Sequence, residues 1–130
     1  MLVNIIDYYN LCSYNRLTRK ENKMIIKESS KYKQTLKRNI INKHKKEELT
    51  MIQDFIGILE TYPNLHMFMI SQYKIKYHVE QKKQNLKELF TARINKIRLI
   101  FKPCKEYPYE YIEIEEIELE EVNDDHYKRL

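Results

Sequence analysis

The sequence has no apolar run that approaches the roughly 18 consecutive residues a membrane-spanning helix needs, which argues against insertion in a bilayer. Its opening, MLVNIIDYYNLCSY, is apolar, but Asn4, Asp7 and Asn10 interrupt it and no basic stretch precedes it, so it does not read as an export signal. Cysteine is scarce: Cys12 and Cys104 lie far apart, and neither has a histidine at a metal-ligand spacing. We therefore expect a reduced, cytoplasmic protein with no metal and no cofactor. The single glycine, Gly57, falls inside a helical pattern, where it costs up to about 1 kcal/mol relative to alanine. Either a close neighbour demands it or the helix tolerates it.

What the chain does have is charge, unevenly placed. Residues 1–105 hold 22 basic and 9 acidic side chains, a balance of +13, whereas residues 106–130 hold 2 basic and 10 acidic, a balance of −8. A basic body suits a polyanionic partner such as nucleic acid, and an acidic final strand suits an internal counter-charge. With 130 residues the chain is one domain, large enough to bury its own core.

Leu2, Ile5, Ile6 and Tyr9 share one face at helical spacing, and the polar NRLTRKENK follows them, so residues 1–23 read as an N-terminal helical appendage to a domain over 24–130. The apolar MIIKESS is a short strand, with Ser29 or Ser30 placed to cap a helix. Tyr32, Leu36 and Ile40 give that helix a narrow apolar stripe. Ile52, Phe55, Ile56, Leu59 and Tyr62 give a second helix a broader one, ended by Pro63. Beyond Asn64 the pattern is ambiguous between helix and strand, although Tyr73, Ile75, Tyr77 and Val79 alternate with polar residues as in a half-buried strand. In the final segment Ile112 and Ile114 have one parity and Ile117 and Leu119 the other, which a bulge at Glu115-Glu116 would reconcile. The expected architecture is α+β: strand, two helices, then three or four strands, with the helices packed on one face of a small antiparallel sheet.

The stretch ELFTARINKIRLIFKP reads as a hairpin turning at Asn95-Lys96. That register pairs Ile94 with Ile97, Ala92 with Leu99 and Phe90 with Phe101 on one face, and sets Arg93 directly against Arg98 on the other. Like charges so placed destabilise a strand pair, by a few tenths of a kcal/mol up to about 1. Either carboxylates such as Glu118 or Glu120 neutralise them, or an anionic ligand does.

This order of elements, with NLKELFTARINKIRLIFKP followed by IEIEEIELEEVNDDHY, resembles the RelE/ParE superfamily of bacterial toxins, most of all its HigB-like, plasmid-killer branch. The similarity runs from about Met24 to Tyr127, with MIIKESSKYKQTLKR resembling the family's first strand and helix. It implies a small, metal-independent endoribonuclease that cuts messenger RNA, commonly on the ribosome, and is silenced by a cognate antitoxin. Members of the ParE kind act instead on DNA gyrase, and a non-catalytic binding module of the same fold is a further alternative. Arg98 falls where the family places a phosphate-binding arginine. His126 and Tyr127 fall where HigB-like toxins end in an acidic, tyrosine and histidine cluster, in reversed order here, so either is open as the base. His78 resembles a histidine before the family's Leu-Lys-Gly segment, although the glycines are missing from EQKKQNLKEL.

The chemistry stands apart from the resemblance. RNA carries its own nucleophile, the 2′-hydroxyl, so cleavage needs a base, cations for the phosphorane and an acid for the leaving 5′ oxygen. Histidine, with its ordinary pKa near 6.5, suits either proton transfer, which typically contributes about 10² to 10⁴ in rate. An arginine aimed at the developing charge contributes comparably, and its planar fork matches phosphate oxygens. The expected catalytic set is Arg98, His126 and Tyr127. Arg93, His78, Lys82, Lys83 and Lys87 are the expected RNA contacts. As plain surface features, the lysines are a solvated loop and His78 sits on the polar side of its segment.

Overall fold

The computed structural model describes residues 23–86 and 88–124. The appendage, Lys87, His126 and Tyr127 lie outside the described residues. Strand β1 (Ile25–Glu28) leads into helix α1 (Ser30–Leu36), which continues as a π-helical turn over Lys37–Ile41. Ser29 is the cap: its side chain accepts the Tyr32 N–H at 3.0 Å. Helix α2 (Lys46–Glu60) follows, then two short helices, α3 (Leu65–Met69) and α4 (Gln72–Lys76). The remaining strands are β2 (Glu80–Gln81), β3 (Phe90–Ile94), β4 (Ile97–Pro103) and β5 (Glu116–Asp124).

The expected α+β architecture is present, with the sheet ordered β1-β5-β4-β3-β2. One pairing departs from the expected antiparallel sheet: β1 runs parallel to β5, Ile26 opposite Ile117. Successive antiparallel pairings of β2 to β5 fix the direction of the last strand, and the helical crossover returns β1 beside it in the same sense. The hairpin has the expected register, with Arg93 opposite Arg98, and Asn95 supplies the turn at φ 59°.

Two local expectations fail. Residues 72–76 form a helix instead of a strand. The Ser71 hydroxyl accepts the Tyr73 N–H at 3.2 Å, Tyr73 and Tyr77 stack one helical turn apart, and Ile75 points outward, 74% exposed. Tyr77 thereby meets Phe55 edge-on at 4.9 Å, a contact that an alternating strand would not require. The parity change near Glu115 also has a different origin. Tyr111–Glu113 is a single 3₁₀ turn, where the Glu110 N–H bonds the Glu113 carboxylate at 3.1 Å, and β5 begins only at Glu116. The bulge lies further on: Ile100 pairs with Glu121 and Phe101 with Leu119, which leaves Glu120 extra.

The core forms where Ile52, Phe55 and Leu59 of α2 meet Phe90, Ile94, Leu99, Phe101 and Leu119 of the sheet, all fully buried. Burying one such side chain stabilises by about 1.5 to 3 kcal/mol. Gly57 lies on the exposed side of α2, and a Cβ built there would meet nothing within 4 Å, so the helix tolerates it rather than needing it for packing. Beside β5, the Thr35 hydroxyl accepts the Val122 N–H at 3.0 Å while the Asn39 side-chain amide donates to the Val122 carbonyl at 2.7 Å. No helix among the described residues is long and apolar enough to cross a membrane.

Candidate nucleic-acid interface

Alternation along the hairpin sends Phe90, Ala92 and Ile94 into the core, so Thr91 and Arg93 face the other way, as do Arg98, Ile100 and Lys102 on β4. This outer face is the floor of a cleft of about 410 Å³, lined by residues that include Arg93, Arg98, Lys74, His78, Lys82 and Glu80. Glu80 is the one carboxylate among those described lining residues. The cleft is a place where anionic oxygens gain charge-assisted hydrogen bonds and where the arginine forks can grip a phosphate from two strands.

Its far wall exists because α4 is helical. Lys74 lies within α4 and His78 just beyond its end, and both line the cleft. His78 closes the turn with φ 49°, in the left-handed region, and the Arg93 N–H then bonds the Tyr77 carbonyl at 2.7 Å. That bond fixes the wall against β3. Ile75, mostly exposed, also lines the cleft and gives it an apolar lip.

Of the expected residues, Arg93, Arg98, His78 and Lys82 come together. Lys83 is exposed and is not part of the lining, while Lys87, His126 and Tyr127 lie outside the described residues. Lys74 was missed although the alternation puts it on the same polar side as His78; only the structure brings it to the cleft. In the register, Asn123 stands across β4–β5 from Arg98, and Glu118 stands across from Lys102.

The acidic strand is answered by its own neighbours. Lys27 pairs with Glu116, and Lys31 pairs with Glu121 at 3.0 Å. Asp124 takes Lys45 at 2.9 Å on one oxygen and Lys43 at 3.3 Å on the other. Burial alone would push the Asp124 carboxyl up, but hydrogen bonds from the two lysines override it and hold it below the usual carboxylate value. Glu120 goes the other way, pushed up by desolvation and by the neighbouring Glu118 carboxyl. Among the described residues no group of three His, Cys, Asp or Glu side chains could hold a metal ion.

Comparison with known proteins gives little. No family model matches the sequence, and no curated protein matches it. Among solved structures, a chain of the toxin–antitoxin complex RelBE2 from Mycobacterium tuberculosis is similar in trace, with 11% identity, 78% of this chain and 98% of that chain covered, and a TM-score of 0.44. A likeness at that level carries no functional argument.

Proposed function

We propose that this chain is the toxin of a toxin–antitoxin pair, an endoribonuclease of the RelE/ParE kind and HigB-like branch that cleaves messenger RNA, associated with the ribosome. The observation that carries this reading is the facing pair Arg93 and Arg98 in a cleft that also gathers Lys74, His78 and Lys82. Two arginine forks with lysines gathered on one face suit the closely spaced phosphates of a polyanion.

In the proposed reaction the 2′-oxygen attacks the adjacent phosphorus, the bond from phosphorus to the 5′ oxygen breaks, and a 2′,3′-cyclic phosphate and a 5′-hydroxyl result. Arg98 holds the phosphoryl oxygens as they gain charge, with Arg93 beside it. The two proton transfers fall to His126 and Tyr127, one removing the 2′ proton and the other supplying the leaving oxygen. His78, Lys82, Lys83 and Lys87 contact the flanking backbone. A cognate antitoxin, its segment folding as it binds, would silence the protein by covering the cleft.

The test is expression of the unmodified protein beside Arg98→Ala and His126→Ala, with primer extension on cellular messages. The reading expects growth arrest with new message ends from the first and neither from the variants. Arrest with intact messages would end the nuclease reading, and inhibited supercoiling by DNA gyrase in that case would replace it with the ParE-like one.

A further inference from the structure

The described residues begin beside an uncovered apolar surface. The Ile25 N–H bonds the Glu115 carbonyl at 2.9 Å, the Met24 N–H bonds the Tyr62 carbonyl at 3.0 Å, and the Leu65 N–H bonds the Ile114 carbonyl at 2.9 Å. The start of β1, the start of α3 and the 3₁₀ turn at Tyr111–Glu113 are thereby held together. Around them Ile25 is 55% exposed, Met67 41% and Ile112 60%. A groove of about 380 Å³ opens there, lined by His66, Tyr109, Glu110, Tyr111 and Ile112. The Tyr109 ring stands edge-on to Tyr107 at 5.5 Å and beside Tyr111 at 6.5 Å, so one wall is aromatic. Apolar side chains gathered on the outside of a small domain mark a place where something docks.

The sequence holds a segment of matching character, and its tether ends at this spot. Leu2, Ile5, Ile6 and Tyr9 recur at helical spacing, so a helix over them has an apolar face that its own length cannot bury. Nine residues, 15–23, join that stretch to β1 and reach roughly 30 Å when extended, which puts the groove within range. A short tether raises the local concentration of its cargo to about the millimolar range, so a contact too weak to hold separate molecules is filled within one chain. A membrane surface is the poorer match. Residues 1–14 hold Asp7 and no lysine or arginine, whereas a helix lying on anionic lipid draws on basic side chains.

We propose that the N-terminal appendage docks on its own domain, in the groove between α3 and the Tyr109–Ile112 segment, with Leu2, Ile5, Ile6 and Tyr9 covering Met67, Tyr109 and Ile112. None of the docking residues lines the cationic cleft, so this contact stands or falls apart from the RNA reading.

The full-length chain offers its own probe position. With Cys104→Ser, Cys12 is the sole cysteine and lies three residues beyond Tyr9. A nitroxide attached to it broadens the amide signals of whatever residues it approaches in the isotope-labelled protein. The expected result is strong loss of signal at His66, Met67 and Tyr111–Glu113 and little at Arg98 or Ile41. Ile5→Glu combined with Ile6→Glu should restore the lost signals, as should Ile112→Asp on the groove side; the remaining spectrum shows in the same measurement that the domain is folded. Weak, even broadening over the whole surface, broadening centred elsewhere, or broadening that survives both sets of substitutions would overturn the docking. Labelled chains without nitroxide, mixed with unlabelled chains that carry it, should stay sharp at His66. Broadening there would give the groove to a second copy's appendage, and relief of the original broadening by phosphatidylcholine–phosphatidylglycerol vesicles would make lipid the partner; either result overturns the proposal.

Discussion

On β5 three acidic side chains have cations: Glu116 has Lys27, Glu121 has Lys31, and Asp124 has both Lys43 and Lys45. One strand away, the hairpin sets Arg93 against Arg98 and adds Lys74, His78 and Lys82 around them. The two regions share one sheet, so the contrast is not a matter of solvent or depth. Where opposite charges are placed face to face, the arrangement serves the fold. Where like charges are, the direct facing costs the strand pair up to about 1 kcal/mol, and the face it forms suits a polyanion.

The sharpest way to break this contrast is at the hairpin. Arg98→Ala should lower RNA cleavage by about 10² to 10³, the size of a lost group aimed at developing charge, while thermal stability changes far less. A large loss of stability would make Arg98 a fold residue and erase the distinction. Arg98→Lys should recover little, because a point charge does not replace the fork.

The reverse pattern is expected at β5. Thr35→Val leaves the buried Val122 N–H without its acceptor and should cost about 1 to 3 kcal/mol in urea denaturation. RNA affinity measured on the folded fraction should not move.

Acid separates two carboxylates within β5. The folded value of Glu120 is raised, so the folded state gains relative stability as pH falls through that raised value toward the ordinary glutamate range. Asp124 is depressed, so its contribution is present above the ordinary aspartate value near 3.8 and is lost as pH falls through its lowered one. Stability followed by thermal melting should therefore rise modestly from neutral pH and then decline below about pH 4. Glu120→Gln should remove the rise and Asp124→Asn the decline; the opposite assignment would show that the clamp by Lys43 and Lys45 does not set the Asp124 charge.

The smallest effect lies away from both regions. Gly57→Ala on the open side of α2 should stabilise by about 0.5 to 1 kcal/mol with no change in RNA binding. A destabilised variant would mean that α2 needs the glycine after all.

What could be read in the sequence was local. The hairpin register follows from alternation and a two-residue turn, the Ser29 cap from its place before a helical stripe, and the face of α2 from Ile52, Phe55 and Leu59 at helical spacing. Arg93 and Arg98 were legible as a facing pair for the same reason. The segment from Tyr73 to Val79 was not, because its apolar residues fit a period of two as well as a short helix; the Ser71 cap and the contact of Tyr77 with Phe55, distant in sequence, go with the helix. Glu120 was illegible on other grounds: a bulge is a property of two strands, and its position depends on Ile100 meeting Glu121.

The parallel pairing of Ile25–Glu28 with a strand that begins at Glu116 has a consequence for synthesis. A growing chain can form both early helices and the hairpin while its first strand still has no neighbour, since the residues that receive it follow all of them. Contacts of such long sequence separation are slow to form. Pairing of the first strand thereby waits for synthesis of Glu116–Asp124, and it stays an open edge for as long as they are unmade.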